Sequence, residues 1–344
     1  MDVLSQVESW KLFKKMAGDT VDSSDLNPIA TKVAKRCSGL PLAIVTVARA
    51  LRHRSKHAWR DALRQLRSST TNDVKGVYAN VFASLELSFN FLKDEETKAC
   101  FLLCSLFKED LDIPIEYLVR YGTGLRIFQD VHTLEEARDR VHTVVENLKA
   151  CCLLLDSDVE DCFRMHDVTR DFLLKVACRG LYIFLEKMIP AYPDSLHGNN
   201  VGNYYAISMV LNDLEEFPFG IDFPKLQLCR LEGSVGLVQF SGNKNYFDGM
   251  KELKAVLMHH VFIPSIPSLF LTLRKLVTLC LEHCKLGDLS NIKELKHLEI
   301  LSFMHSDIEK LPKEIRELSH LRLLDLSDCK NLTGIPFGVF SNLV

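Results

Sequence analysis

Two periodicities and the punctuation between them predict a multidomain α+β chain. From residue 1 to about 180, apolar residues recur at helical spacing, with two short apolar runs around a polar loop near residues 151–165. Further on, leucines recur in a fixed frame: Leu276-x-x-Leu279-x-Leu281-x-x-Cys284-x-Leu286, Leu298-x-x-Leu301-x-Phe303-x-x-Ser306-x-Ile308 and Leu321-x-x-Leu324-x-Leu326-x-x-Cys329. The first pattern predicts a helical bundle and a winged helix. The second predicts an α/β leucine-rich-repeat solenoid.

Bulk properties agree with this division. The 344 residues are 47% hydrophobic and 25% charged, enough for two or three domains with real cores. A net charge of −3 argues neither for nor against nucleic acid. Met1-Asp2-Val3-Leu4-Ser5-Gln6 carries no basic or apolar leader, and no apolar run approaches the roughly 18 residues of a membrane span. Eleven cysteines include no Cys-x-x-Cys pair. Cys100 and Cys104, four apart on an apolar helical face, read as buried thiols of a reducing, intracellular protein, expected in the cytoplasm with peripheral membrane association left open.

The helical half is expected as follows. Glu8-Ser9-Trp10-Lys11-Leu12-Phe13 opens an amphipathic helix ending near Gly18. A second helix runs from Pro28 to Cys37 and stops at Ser38-Gly39. In Gly39-Leu40-Pro41-Leu42-Ala43, glycine closes one helix and proline opens the next, because its φ is pre-set and it has no N–H to strand. That helix, Pro41 to Leu51, is apolar almost all round and should be buried. Between Arg49 and Arg67, basic residues alternate with Leu51, Leu63 and Leu66 around Trp59, a solvated helix face rather than a nucleic-acid patch. Val74 to Leu92 and Thr97 to Phe107 are further helices, the latter with Asp94-Glu95-Glu96 at its start. Pro114 and Glu116 open another, and Thr133-Leu134-Glu135-Glu136 is a capping box for a helix from Leu134 to Lys149. The runs Cys151–Leu155 and Cys162–Met165 form a hairpin, so helices are followed by a two-stranded wing. The helix in the recognition position has balanced charge, and no nucleic-acid partner is expected.

Met165-His166-Asp167 then sits at a strand-to-helix corner. Val168, Phe172, Leu173 and Val176 continue at helical spacing, and Asp167 is placed to cap the first N–H groups. A helix N-terminus favours anions, and an imidazole N–H aimed the same way adds a bond to phosphate. The domains are therefore read as 1–70 (helical), 71–180 (winged helix), 181–202 (a linker containing Pro190, Pro193 and His197–Asn200) and 203–344 (repeats). Leu253-x-x-Val256-x-Met258 is a looser repeat, and the stretches from Ile207 to Leu214 and from Leu226 to Leu231 are degenerate ones. Turns Ile266-Pro267, Leu311-Pro312 and Ile335-Pro336 recur on the other side. Cys284 and Cys329 share a phase two strands apart, about 9.6 Å, beyond the roughly 7 Å limit for a disulfide. The same register stacks His260, His283 and His305 with Asp328; the plain reading is a tolerated polar residue at that phase, and the sharper one is a pH-sensitive edge for a protein partner, titrating as a group, or an adventitious transition-metal site. Phe337, Val339, Phe340 and Leu343 leave an apolar end that should favour association.

Three of these stretches resemble, in order, motifs of the nucleotide-binding (NB-ARC) module of plant leucine-rich-repeat disease-resistance proteins, in the style of their coiled-coil class. Gly39-Leu40-Pro41-Leu42-Ala43 looks like the GLPLA motif, Cys100–Phe107 like the CFLLCSLF motif and Met165-His166-Asp167 like the MHD motif. Glu8–Phe13 also resembles the segment just after that family's nucleotide-binding sheet. The resemblance implies an intracellular immune receptor whose P-loop, helical and winged-helix domains close around ADP and open on exchange for ATP, restrained by the repeats. It implies cofactor-binding roles for Gly39, Leu40 and Pro41, with Pro41 on the adenine and ribose side. His166 would bond the β-phosphate and Asp167 would hold the corner. It also implies protein partners on the repeats, a pathogen effector or a guarded host protein. The chain departs from the pattern at Lys108, where proline is usual. More importantly, the sequence has no Gly-x-x-x-x-Gly-Lys-Ser/Thr and no strand ending in paired aspartates before Trp10. ADP or ATP is therefore expected only with a P-loop domain supplied from outside this chain, and no catalysis is expected from it alone. The sequence reads as an internal piece of a longer receptor, a truncated gene model or a degenerate relative. The contrasting reading is an interaction scaffold whose nucleotide motifs are relics.

Overall fold

The computed structural model describes residues 3–68, 77–108, 111–179, 184–188, 204–211, 222–233, 238–240, 247, 249–265 and 273–341. The expectations at Val74, Pro190, Pro193, His197–Asn200, Asn212, Leu214, Ile266-Pro267 and Leu343 lie outside them. The chain packs as two compact units: Met1–Glu116 with Arg138–Lys175, and Tyr117–Ala137 with Val176–Val344.

The first unit begins with α1 (Gln6–Ala17), fixed by a Ser5–Glu8 capping box and ended by Gly18 at φ +88°. Next come α2 (Asn27–Arg36), α3 (Pro41–Leu51) and α4 (Lys56–Ser68). The core of this bundle is Phe13, Val33, Ile44, Val47, Leu51 and Trp59, all essentially inaccessible. Trp59 lies edge-on to Phe13, so the basic helix α4 is held by its aromatic and aliphatic positions while its charges face water. α5 (Val77–Asn90) and α6 (Glu95–Leu103) follow. α6 starts two residues earlier than expected because Asp94 is its N-cap, accepting the Thr97 N–H at 2.6 Å, and it tightens into a 3₁₀ turn at Cys104–Leu106. Every residue from Cys100 to Phe107 is buried.

β1 (Ile113–Pro114) leads into α7 (Ile115–Leu125), then α8 (Leu134–Ala150) with the expected capping box at Thr133 and Glu136. β2 (Leu155–Asp156) and β3 (Cys162–Arg164) pair antiparallel, and β1 joins them in the order β1-β3-β2. The hairpin is thus shorter than expected: residues 151–154 turn out of α8 with Cys152 at φ +56°, and only Leu155 and Asp156 make the ladder. α9 (Asp167–Arg179) closes the region.

The second unit is a solenoid. Its seven-stranded parallel sheet runs β13-β12-β10-β8-β6-β5-β4. The strands are β4 (Phe184–Met188), β5 (Ala206–Leu211), β6 (Leu228–Gly233), β8 (Ala255–His259), β10 (Thr278–Glu282), β12 (Ile300–Ser302) and β13 (Leu323–Asp325). A second parallel ladder, in the order β11-β9-β7, joins β7 (Val238–Gln239), β9 (Val261–Ser265) and β11 (Lys285–Asp288). Register is exact across repeats: Ala206, Leu228, Ala255, Thr278, Ile300 and Leu323 are successive partners. The two stretches read as degenerate repeats are therefore true strands of the sheet. One correction concerns 184–188, expected within a linker: these residues form β4, paired in register with β5. Frame positions Leu253, Leu276, Leu298 and Leu321 are all buried. Short 3₁₀ turns at Ser290–Glu294 and Lys313–Glu317 bury Ile292 and Ile315, the latter turn beginning after Pro312. The ten cysteines whose side chains are described are free thiols; Cys284 is buried, whereas Cys329 is only half-buried.

Candidate functional site

Gly39 sits where α2 hands over to α3. Its φ is +75°, and a Cβ there would lie 2.6 Å from the Leu4 carbonyl oxygen and against Val3, so both backbone conformation and space require glycine. The Gly39 carbonyl accepts the Leu4 N–H at 2.9 Å, clipping the turn to the chain ahead of α1. Leu40 is buried and serves as the N-cap residue, and Pro41 opens α3. Beside this turn lies a groove of about 680 Å³ lined by Val3, Val7, Trp10, Thr31, Lys35 and Gly39 among others.

At the other corner the structure corrects one assignment. The His166 carbonyl accepts the N–H groups of Thr169 and Arg170, and His166 Nδ1 accepts the Val168 N–H at 3.2 Å. His166, half-buried, therefore caps α9, while Asp167 is its first helical residue and is exposed. The reason is reach: Nδ1 of the preceding imidazole closes a two-residue ring onto Val168, the role usually taken by a short carboxylate or hydroxyl. With Nδ1 accepting, the proton of neutral His166 is assigned to Nε2, which remains a donor. Arg170, one turn on, is buried and donates from Nε to the Phe107 carbonyl at 2.6 Å, tying the corner to the end of the Cys100–Phe107 stretch. Gly39–Pro41 and His166–Asp167 lie in the same unit. No hydrogen bond among the described residues joins the two groups directly.

The concave strand face of the solenoid carries a polar constellation that sequence reading did not single out. Alternate strand positions Ser208, Arg230, Leu257, Cys280, Ser302 and Asp325 form one row across the sheet, and Glu232, His259 and Glu282 lie in the next. Most of these are buried, and residues 117–125 of α7 meet the part of the face on β8, β10, β12 and β13. Arg120 reaches Glu282 at 2.8 Å, Ser302 at 3.0 Å and Asp325 at 2.6 Å. The Tyr117 hydroxyl donates to Glu282 at 3.0 Å, and the Thr278 hydroxyl donates to the Arg120 carbonyl at 3.1 Å. Burial and the Glu282 carboxylate push the Tyr117 phenol up. Burial works against the Asp325 carboxylate, but hydrogen bonds from Ser327 and Arg120 hold its pKa below the ordinary value. The clue in the sequence was charge at strand positions where the repeat frame leaves the residue free. What it could not reveal was the partner, far away in the chain at Arg120.

The histidine column is real and has a backbone cause. His260, His283, His305 and Asp328 all have φ between 53° and 57°, the left-handed region that histidine and aspartate tolerate better than most residues. The His260 and His283 rings stack at 5.0 Å, those of His283 and His305 at 4.5 Å, and His305 Nδ1 lies 3.5 Å from Asp328. Burial, then His305 and His260, lowers the pKa of His283. The metal expectation is not met: in stacked rings the nitrogen lone pairs lie in near-parallel planes and do not converge, and no described group of three His, Cys, Asp or Glu residues is arranged to hold an ion. No described helix is long and apolar enough to cross a membrane.

No family model matches the sequence. It is similar to Disease resistance protein At4g27190 of Arabidopsis thaliana, 32% identical over 357 residues that cover 100% of this chain and 35% of that protein. It is also similar to Probable disease resistance protein At4g27220 of the same plant, 31% identical over 97% of this chain and 31% of the relative. Disease resistance protein RPS5, also of Arabidopsis thaliana, is 29% identical over 99% and 42%. The chain thus spans about a third of the length of the first two. Among solved structures, a leucine-rich-repeat protein of Leptospira interrogans aligns with a TM-score of 0.38 at 17% identity, covering 48% of this chain and 45% of that one.

Proposed function

Because the chain is homologous over its whole length to plant disease-resistance proteins, we propose that it supplies the sensor half of a nucleotide-governed immune switch: a helical segment and a winged helix that touch ADP or ATP held chiefly by a P-loop domain, joined to repeats that meet a protein partner. The observation that carries this reading is the bond from the Val168 N–H to His166 Nδ1 at the start of α9. Nδ1 is committed to the helix cap, so Nε2–H is held as a donor at the N-terminus of the thirteen-residue helix α9. That combination suits a phosphate oxygen.

The residues fit a supporting role toward a nucleotide, not a self-sufficient site. His166 would donate to a phosphate and Pro41 would pack on the adenine and ribose side. Gly39 and Leu40 would set the turn that places Pro41, and Asp167 would add its position at the α9 start. The nucleotide, when bound, supplies the phosphate charge that distinguishes the two states of the switch. The backbone cradle for that charge is not encoded in this sequence. The groove beside Gly39, with exposed Val3 and Val7 on its wall, offers apolar surface for the domain that would bring the cradle.

The test joins this chain to a P-loop domain from one of its relatives and measures ADP retention. His166→Ala should weaken it by about ten- to a hundredfold, the loss of one charge-assisted bond of roughly 1.5–3 kcal/mol. Unchanged retention with the fold intact would overturn the assignment. The chain alone should bind ADP negligibly, and micromolar affinity by calorimetry would show that the site is not the one described.

A further inference from the structure

The segment between α7 and α8, together with Arg322 just ahead of β13, walls a small polar cavity of about 50 Å³. Thr123, Arg126, Phe128, Val131 and Thr133 contribute to the wall, and all of them belong to the second unit. One water needs roughly 10–15 Å³ by this measure, so the cavity takes a few waters or one tetrahedral oxyanion.

One hydroxyl of the wall is unpartnered. Thr123 is 9% exposed, and its Oγ1 is buried without a hydrogen bond. Other helical hydroxyls of this chain behave differently: those of Thr46, Ser84, Ser88 and Thr143 each donate to the carbonyl four residues earlier. Thr123 does not return its proton to its own helix, and a buried hydroxyl in that state calls for a ligand.

The charge of the wall says which kind. It carries two guanidiniums and no carboxylate. Arg126 donates to both oxygens of Glu299, one of them at 3.2 Å, and Arg322 donates to Glu299 at 3.4 Å and to the His132 carbonyl. One carboxylate thus serves two cations, which leaves an excess positive charge, and each guanidinium keeps N–H groups beyond these bonds. Glu136, the next acid along the chain, accepts the His132 and Thr133 N–H groups and is not part of the wall. Arg126 also has φ +58°, just past the end of α7, where the Ile127 N–H bonds the Gly122 carbonyl at 2.9 Å. Glycine is the usual occupant of such a position, so the arginine is held there at a conformational cost.

We propose that this cavity is a binding site for a small tetrahedral oxyanion, inorganic phosphate, held by Arg126, Arg322 and the Thr123 hydroxyl. Two guanidiniums and a hydroxyl suit its several acceptor oxygens. The site is distinct from the His166 corner and does not depend on the nucleotide reading. Occupancy fastens residues 126–133 to the repeats, because its ligands come from both.

The probe is inorganic phosphate, titrated into the whole chain by calorimetry at neutral pH with ionic strength held constant by chloride. One saturable site is expected. Thr123→Val keeps the side-chain volume and removes a hydroxyl that bonds no protein group, so the phosphate-free chain should melt no lower than the parent. The same variant should bind phosphate about ten- to a hundredfold more weakly, the loss of one bond to a charged group. Arg322→Gln should weaken binding to a similar degree, and His166→Ala should bind phosphate as the parent does. No saturable binding would overturn the proposal. Parent-like affinity in a folded Thr123→Val chain would also overturn it and leave the cavity to water. Binding lost in His166→Ala but kept in Thr123→Val would put the phosphate at the α9 corner, overturning this site while supporting the nucleotide reading. A second measurement needs no variant: phosphate should slow amide exchange in residues 123–133, and unchanged exchange at saturation would equally overturn the proposal.

Discussion

Acid should loosen the repeat unit well before its carboxylates titrate, and His259 is the reason. This residue ends β8, with its ring edge-on to Tyr117 and its Nε2 buried without a hydrogen bond, 4.0 Å from Glu282. Burial first, and Arg230 next, push its pKa down to about 3, with Glu232 pulling weakly the other way. In the unfolded chain it returns to roughly 6.5. Between those values the unfolded state binds a proton that the folded state refuses, so stability falls as pH falls, by about 1.4 kcal/mol per pH unit. From about pH 7 to about pH 5 the loss is about 2 kcal/mol, a sizeable part of a domain's typical stability of about 5–15 kcal/mol. His283, whose pKa is also lowered, adds in the same direction and the same window. Asp325, lowered from 3.8, contributes only further down. Trp10 and Trp59, the two tryptophans, both lie in the first unit, so fluorescence will not see this loss. Urea unfolding read by pulsed hydrogen exchange at a fixed labelling pH, in peptides spanning β8 and β10, will. Replacing His259 by Gln should cut the pH dependence by about 2 kcal/mol over that interval. A variant with the same slope as the parent would refute the argument.

The other predictions follow from single contacts. Gly39→Ala should destabilise the first unit by about 2 kcal/mol or more, since it adds a left-handed penalty to a clash with Leu4; urea melts followed by Trp10 and Trp59 fluorescence check it, and an unshifted midpoint counts against the turn geometry. In the column, the His283 imidazole should titrate below the ordinary value, and His305→Asn, which keeps the left-handed turn, should move it back up by NMR; three independent curves insensitive to that change would reduce the stack to coincidence. Phe337 is fully exposed beside exposed Ile335 and Phe340. Phe337→Ser should therefore lower concentration-dependent association in light scattering, and an equally associated variant would place the sticky surface elsewhere.

What could be read from the sequence was what the backbone itself enforces. The repeat frame fixes which residues point inward, because strand alternation has period two and parallel register carries the phase from one repeat to the next; hence Leu253, Leu276, Leu298 and Leu321 are found buried and His260, His283 and His305 stacked. Caps were legible for the same local reason: Thr133 with Glu136, and proline at the start of α3, act within one turn. The His166 cap was misassigned because an imidazole and a carboxylate compete for the same N–H groups, and composition alone does not say which side chain reaches them. β4 was missed because a single strand at the edge of a sheet has no second copy to give it a phase.

The concave face is the sharper case. Its charged residues were all visible at frame-free positions, yet a leucine-rich frame leaves those positions free so that they can face something other than the solenoid's own core. In isolation, Glu282 reads as a solvated carboxylate. It is instead fully buried, and burying an unpaired carboxylate in an apolar site costs several kcal/mol. A cation had therefore to be brought from elsewhere in the chain, and Arg120 is that cation.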